Sequence, residues 1–420
     1  MGITLCMLNK IPVGHKSIDD YSSIIGFDYI QSLKQKASKI NKLKILHLSS
    51  TAYGGGVSEM LYTLVPLMKS IGLDVSWQVI TGDEEFFITT KNLHNGLQGA
   101  DFIITDYMVK AYKRRSKENA KLLDTDADVI ICHDPQTAAI PYFCDKLDKY
   151  KKTAWIWRCH IDLTCPHSSA VDLIKDYVNQ FDGTVFSSPN YIKPELKTDN
   201  HYIVYPAIDP LSPKNMDISS HTINELLSKV GIKTDKPVLT QVSRFDPWKD
   251  PLGVIDVYRE VKKDIDLQLL MVASMASDDP EGWHYFEKTA RHAGNDLDIH
   301  LLSNVYGVGN LEVNAIQKIS DVVIQKSVRE GFGLVVSEAL WKGKPVVGTN
   351  VGGIAVQIVD GDNGFLIENT TEAVQKILWL LSHKQQAIKM GKKGKQYVKQ
   401  NFISPRNLMD IIDVIIDIAA

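Results

Sequence analysis

The chain has 420 residues, 44% hydrophobic and 23% charged, with 47 Lys and Arg against 50 Asp and Glu and a formal net charge of -3. At roughly 150 residues per domain, the length predicts two or three globular domains, and the composition excludes disordered, collagen-like and coiled-coil chains. The near-neutral balance argues against nucleic acid as a partner, and five cysteines without a C-x-x-C pair make no disulfide scaffold, so a reducing, cytoplasmic setting is expected.

Neither end predicts membrane association. The apolar run Ile3 to Leu8 has no basic region before it and no small-residue cleavage site, unlike a secretory signal. The late stretch Leu408 to Ala420 carries Asp410, Asp413 and Asp417 along one side, which predicts an amphipathic surface helix.

The first 40 residues are weakly patterned, with a strand or two and a helix over Tyr29 to Ile40 expected. Then a rhythm begins. Lys44 to Ser50 reads as a buried strand, Gly54 to Gly56 as a turn, and Val57 to Lys69 as an apolar-periodic helix. Val75 to Thr81, Asp128 to His133, Thr153 to His160 and Gly183 to Ser187 read as further strands, with helices such as Ala170 to Gln180 between them. Strands alternating with helices predict a parallel sheet covered on both faces. Pro206, Pro210 and Pro213 then disfavour regular structure and mark a linker. The rhythm restarts with strands at Pro237 to Arg244, Gln268 to Ala273, Ile299 to Ser303, Asp321 to Gln325 and Pro345 to Gly348. Helices are expected at about 251–263, 281–293, 311–319, 334–342 and 371–382.

The fold class is therefore α/β, with two successive Rossmann-like, doubly wound parallel-sheet domains facing a central cleft. Residues 1–210 form the first domain and 211–400 the second. The closing helices, from about 384 and in 401–420 above all, are expected to pack back on the first. Ligands of such sheets bind beyond the carboxyl ends of the strands, so the informative residues lie in the strand-to-helix loops.

Gly54, Gly55 and Gly56 follow a strand and open a helix, where free N–H groups favour an anion; the plain alternative is a tight turn. Arg244 and Lys249, in the loop after a strand, offer a donor fork and a point charge suited to a diphosphate, or are solvated surface cations. In Arg329-Glu-Gly-Phe-Gly-Leu-Val-Val-Ser-Glu338, Glu330 sits in a loop and Glu338 about a turn into a helix. A carboxylate ahead of a helix start suits sugar hydroxyls, and one on the helix suits a ribose diol. Cys159 and Cys165 flank His160 at a spacing that fits no zinc pattern, so no metal site is expected.

Taken together, these residues resemble the retaining glycosyltransferases of the GT-B class, and more narrowly the glycogen synthase and sucrose synthase group. The resemblance rests on Glu330 and Glu338 with seven residues between them, on Arg244 and Lys249 upstream, and on the Gly54–Gly56 loop. Trp157-Arg-Cys-His-Ile-Asp162, Val242-Ser-Arg-Phe-Asp-Pro-Trp-Lys249 and Asp278-Asp-Pro-Glu-Gly-Trp283 are similar to the trehalose glycosyltransferring synthases of archaea and bacteria, close kin of retaining trehalose phosphorylases. The similarity runs over nearly the whole chain.

The resemblance implies transfer of glucose from a nucleotide diphosphate glucose to free glucose, giving trehalose, without a required cofactor or metal. It implies that Arg244 and Lys249 hold the donor diphosphate, that Glu338 binds the ribose, and that Glu330 binds the transferred glucose near its 3- and 4-hydroxyls. Gly331, Phe332, Gly333 and Leu334 would line that glucose through their amides. Gly55 and Gly56 would lie near the phosphates, and His160 would touch the transferred glucose. His133, Asp134, Gln136 and Arg158 are the acceptor-side candidates. A homodimer is implied as well. The Asp278–Trp283 stretch would face the sugar or the nucleotide from a strand-end loop. Without the resemblance, His160 is a structural histidine, Asp134 a helix cap before Pro135, Trp155 and Trp157 core residues on one strand face, and the Asp278–Trp283 stretch a helix start with Pro280 in its first turn. Three other activities stay open: a trehalose phosphorylase, a transferase with another sugar acceptor, and a non-catalytic sugar-nucleotide sensor. The four charged residues argue against the last.

Overall fold

The computed structural model describes residues 7–53, 55–275 and 280–419. Residues 3–6 of the first apolar run, Gly54, and Asp278 and Asp279 lie outside the described residues. The chain divides into two units, Met1–Pro206 with Ser404–Ala420, and Ala207–Ile403.

The first unit is built on a seven-stranded sheet. Its strands are β1 (Asn9–Lys10), β2 (Lys44–Ser49), β3 (Asp74–Val79), β4 (Val129–His133), β5 (Ala154–Arg158), β6 (Gly183–Phe186) and β7 (His201–Ile203). Their order is β1-β3-β2-β4-β5-β6-β7. Only β1 runs antiparallel, against β3; the other neighbours are parallel. A parallel strand covered on both faces is apolar throughout, and β4 is buried along its whole length. Trp155 and Trp157 share one face of β5 and both belong to the core, together with Phe86, Leu93 and Tyr112. Ile156 points the other way, into a second core.

That second core holds the helix Gly56–Ser70, through Leu61, Leu64 and Val65, and the closing helix Ser404–Ala419, through Leu408, Ile411, Ile412 and Ile415. On the closing helix's polar side, Asp413 pairs with Lys36 at 2.6 Å and Asp417 accepts from the Tyr202 hydroxyl. The preceding helix, Lys384–Asn401, does not join this unit as expected. It packs in the second unit, where a Cβ on Gly391 would sit 1.9 Å from the Gly343 carbonyl oxygen. So close an approach of two backbones is open only to glycine.

The second unit has a six-stranded sheet. Its strands are β8 (Val238–Val242), β9 (Gln268–Ala273), β10 (Ile299–Ser303), β11 (Val322–Gln325), β12 (Val346–Thr349) and β13 (Phe365–Ile367), in the order β10-β9-β8-β11-β12-β13. All neighbours are parallel. Counted from β8, this is the 3-2-1-4-5-6 order of dinucleotide-binding folds. The order reverses between β8 and β11 here, and between β2 and β4 in the first sheet. Crevices open at the carboxyl ends of strands where such reversals occur. Among the described residues, no helix is long and apolar enough to cross a membrane.

Candidate functional site

In the second unit, the loop after β8 folds into a 3₁₀ turn, Pro247–Lys249. The Asp246 carboxylate caps it by accepting the Lys249 backbone N–H at 3.2 Å, and Gln241 Nε2 donates to the Lys249 carbonyl at 2.9 Å. Both contacts aim the Lys249 side chain across the reversal point toward the loop after β11. There its Nζ lies 2.7 Å from Glu330 Oε2, with side-chain exposures of 15% and 11%. The same oxygen accepts from Ser327 Oγ at 3.1 Å and Gln325 Nε2 at 3.3 Å. Glu330 is thus a carboxylate fixed by three donors, Lys249, Ser327 and Gln325, a preorganised group of the kind that polar recognition uses.

Arg244 is placed differently. Its side chain is 55% exposed and pairs with Asp246 at 3.3 Å, within its own loop. In the loop after β11, Gly333 takes φ +79° before the helix Leu334–Trp341. A Cβ there would lie 3.0 Å from Glu330 Cγ, so conformation and space both call for glycine. The loop is braced from behind by the short helix Gly352–Gln357. Gln357 Nε2 donates to the Phe332 carbonyl at 2.5 Å, and the Gly353 N–H donates to the Glu330 carbonyl at 3.0 Å. Phe332 is buried edge-to-face against Phe402, and Leu334 is half-buried. A Cβ on Gly353 would fall 2.2 Å from Phe332 Cα. Gly353→Ala is therefore expected to displace the 330–332 loop and to destabilise the unit by about 2 kcal/mol, the usual cost of overpacking. Thermal unfolding checks the stability, and the loss of activity should exceed the loss of folded protein.

Glu338 lies in the middle of the helix Leu334–Trp341 and is 1% exposed. Its carboxylate pairs with Lys214 at 3.2 Å and accepts from Gln317 Nε2 at 3.3 Å. Lys342 is half-buried beside it, where desolvation pushes the ammonium pKa down to about 7. The sequence reading placed Glu338 on this helix but gave no sign of Lys214, which follows the proline-rich linker.

In the first unit, polar side chains gather at the carboxyl ends of β2, β4 and β5. His133 ends β4 opposite Arg158, which ends β5. His47 Nδ1 lies 3.0 Å from His133 Nε2, and His133 Nδ1 lies 2.9 Å from His160 Nε2. Each consecutive pair of rings is stacked with centroids 5.3 Å apart. Burial is the first cause that lowers all three pKa values, with the nearby Arg158 charge adding to it; His47 is brought down to about 3. All three are neutral imidazoles at physiological pH. Arg158 is itself fully buried, and desolvation lowers its pKa to about 10. Its Nη2 lies 3.5 Å from Met60 Sδ on the helix Gly56–Ser70, and its Nη1 is buried without a hydrogen-bond partner.

Asp134 is not a helix cap. It takes φ +62°, a strained conformation for a residue before proline, and its Oδ1 accepts the His160 backbone N–H at 2.8 Å. Burial raises its pKa to about 7, so the carboxyl still holds much of its proton near neutrality. Gln136 Oε1 is buried and without a partner. At the other edge of this group, Gly55 precedes the helix Gly56–Ser70 with φ +118°.

The structure thus joins Lys249 to Glu330, and His160 to His133 and Asp134, while Arg244 stands apart in its own loop. Sequence reasoning missed His47, Gln325 and Ser327. The available signal was a polar residue near the carboxyl end of an otherwise apolar buried strand, which describes both His47 and Gln325. Of the Asp278–Trp283 stretch, Glu281, Gly282 and Trp283 lie in the first turn of the helix Pro280–Ala293, the helix-start alternative. Cys159 is buried and Cys165 exposed, and among the described residues no group of three or more His, Cys, Asp or Glu could hold a metal ion.

A family profile described as "Trehalose synthase, N-terminal domain" matches residues 47–193, and one described as "Glycosyl transferases group 1" matches residues 222–397. The chain is 45% identical to a trehalose synthase of Pyrococcus horikoshii over 96% of each chain. It is 27% identical to a trehalose phosphorylase of Pleurotus pulmonarius, over 83% of this chain and 54% of that one. Among solved structures, the sucrose-phosphate synthase of Thermosynechococcus elongatus matches with a TM-score of 0.69 at 15% identity, covering 88% of this chain and 98% of its own. That likeness concerns the fold, which is GT-B: two Rossmann-like parallel-sheet domains.

Proposed function

The chain belongs to the trehalose synthase family of glycosyltransferases, and from that premise we propose that it makes trehalose from a nucleotide diphosphate glucose and free glucose, with retention at the anomeric carbon. The observation that carries this reading is the Lys249–Glu330 contact of 2.7 Å at the reversal point of the β8/β11 sheet. It sets a cation for a diphosphate beside a fixed carboxylate for sugar hydroxyls.

In this reading Lys249 and Arg244 hold the donor diphosphate, assisted by amides of the Gly331–Leu334 loop. Glu330 accepts from the 3- and 4-hydroxyls of the transferred glucose, and Glu338 from the ribose. On the first unit, Gly55 and Gly56 lie near the phosphates and His160 touches the transferred glucose. Asp134, Gln136, His133 and Arg158 take the acceptor. The unpartnered Arg158 Nη1 and Gln136 Oε1 support that assignment, since buried polar groups without partners are costly unless a ligand completes them. The acceptor hydroxyl attacks C1 from the face of the leaving group. The bond from C1 to the diphosphate oxygen breaks, the new glycosidic bond forms, and the hydroxyl proton passes to the departing diphosphate. The protein contributes positioning and charge stabilisation. With two cations and a helix start on the leaving group, no metal is required.

The test is a product assay with UDP-, ADP- or GDP-glucose plus glucose, run with and without EDTA, beside an arm supplying glucose 1-phosphate. Trehalose and nucleoside diphosphate formed in EDTA is the expected result. Mg²⁺-dependent turnover would overturn the metal-free reading. The likeness to the fungal trehalose phosphorylase supports a second reading, in which inorganic phosphate occupies the diphosphate position. Trehalose from glucose 1-phosphate alone would establish it instead.

A further inference from the structure

We propose that His47 fixes the direction of the hydrogen-bonded chain His47–His133–His160, so that His160 holds its proton on Nδ1 and presents it as a donor. His47 is then a positioning residue for the sugar-facing histidine. The inference deepens the proposed function only in taking His160 to face the sugar.

Three neutral imidazoles joined through two contacts have two consistent proton arrangements, because each ring carries one N–H and one lone pair. In the first, His47 Nδ1–H donates to His133 Nε2 at 3.0 Å, and His133 Nδ1–H donates to His160 Nε2 at 2.9 Å. His160 then carries its proton on Nδ1. In the second, both bonds reverse, and His47 must carry its proton on Nε2.

That atom decides between them. His47 Nε2 is buried and has no hydrogen-bond partner. A proton there is an orphaned donor, which folded proteins avoid more strictly than an orphaned acceptor. The buried Arg158 guanidinium acts on all three rings and keeps the chain neutral. The first arrangement leaves a lone pair, not a proton, on the unpartnered His47 Nε2. It leaves His160 Nδ1, which has no hydrogen-bond partner among the described residues, as the protonated end. The His160 main chain is pinned as well, by Asp134 Oδ1 at 2.8 Å, so ring and backbone are both set before any ligand arrives. Fixing the tautomer of a functional histidine through the partner of its other nitrogen is how such residues are oriented elsewhere.

The experiment uses the full chain labelled with ¹⁵N-histidine. Long-range ¹H–¹⁵N correlation, assigned by single His→Gln variants, reports which ring nitrogen of each histidine is protonated. Wild type is expected to show Nδ1–H at His47, His133 and His160. His47→Phe keeps an aromatic ring and removes both nitrogens, so His160 should lose its fixed tautomer. Turnover at saturating substrates should fall about tenfold, the worth of one hydrogen bond, with KM values unchanged within about twofold. His47→Asn, whose amide nitrogen takes the place of Nδ1, should restore both tautomer and turnover. A wild-type His160 protonated on Nε2 overturns the proposal. So does a folded His47→Phe variant with unaltered tautomer and turnover. The spectrum needs no substrate, so a failure of the trehalose-forming reading leaves this arm decisive on its own.

Discussion

Lys249→Ala is expected to lower turnover by about 10²–10³-fold, the range seen when one preorganised charge-stabilising donor is removed. Two effects contribute, and they separate experimentally. The first is chemical, because in the proposed reaction the leaving diphosphate loses a cation held 2.7 Å from the Glu330 carboxylate. The second is structural, because Glu330 keeps Ser327 and Gln325 as donors but loses the Lys249 counter-charge. Breaking a buried pair costs about 3–5 kcal/mol, and the partial exposure of both groups brings this toward about 2–3. The double variant Lys249→Ala/Glu330→Gln removes the unpaired charge, so it should recover thermal stability without recovering turnover. Arg244→Ala is the companion case. Arg244 is exposed and paired only within its loop, so stability should be unchanged while turnover falls about 10²-fold. Near-normal turnover in folded forms of both single variants would mean that the diphosphate is held elsewhere.

Legibility in the sequence followed periodicity. The continuous apolar runs of the inner strands have one physical explanation, burial on both faces, and their ends fell within two residues of those expected. The strands that escaped were β7 and β13, and β1 was expected only without bounds; these have two or three residues each and lie at sheet edges. So few residues carry no period. The same limit applies to the site. Lys249 and Glu330 were found because each sits in a loop after a strand, yet their contact depends on how β8 and β11 become neighbours, which no local pattern encodes. Arg244 occupies the same loop as Lys249, yet it pairs with Asp246 inside that loop, a contact that no local pattern distinguishes from one across the sheet. His47 is a single polar letter in an apolar run, and its importance comes from His133 and His160, brought to it by sheet order. Asp134 before Pro135 reads as a cap, and the positive φ that redirects its carboxylate to His160 has no sequence signature.

Glu338→Gln is expected to weaken binding of a nucleoside diphosphate about tenfold and to leave glucose 1-phosphate binding unchanged. The carboxylate is 1% exposed and held by Lys214 and Gln317, so it is already fixed in place before a ligand binds. Hydrogen bonds to a charged group are worth about 1.5–3 kcal/mol, and a neutral amide retains part of that; a net loss of about 1.4 kcal/mol is a factor of ten. The variant also strips the anion from two lysines. Lys214 is partly exposed and can turn to water, whereas Lys342 is half-buried with a pKa already near 7 and can shed its proton. The helix should therefore survive, with a stability loss below the full cost of a broken buried pair. Glucose 1-phosphate carries no ribose, so its affinity reports the diphosphate and sugar positions alone. Calorimetric titration of both ligands into wild type and variant gives the comparison. Unequal losses place the ribose at Glu338 and favour the nucleotide-dependent reaction. Equal losses would make Glu338 a purely structural partner of Lys214, and would set the phosphorylase reading ahead of the transferase.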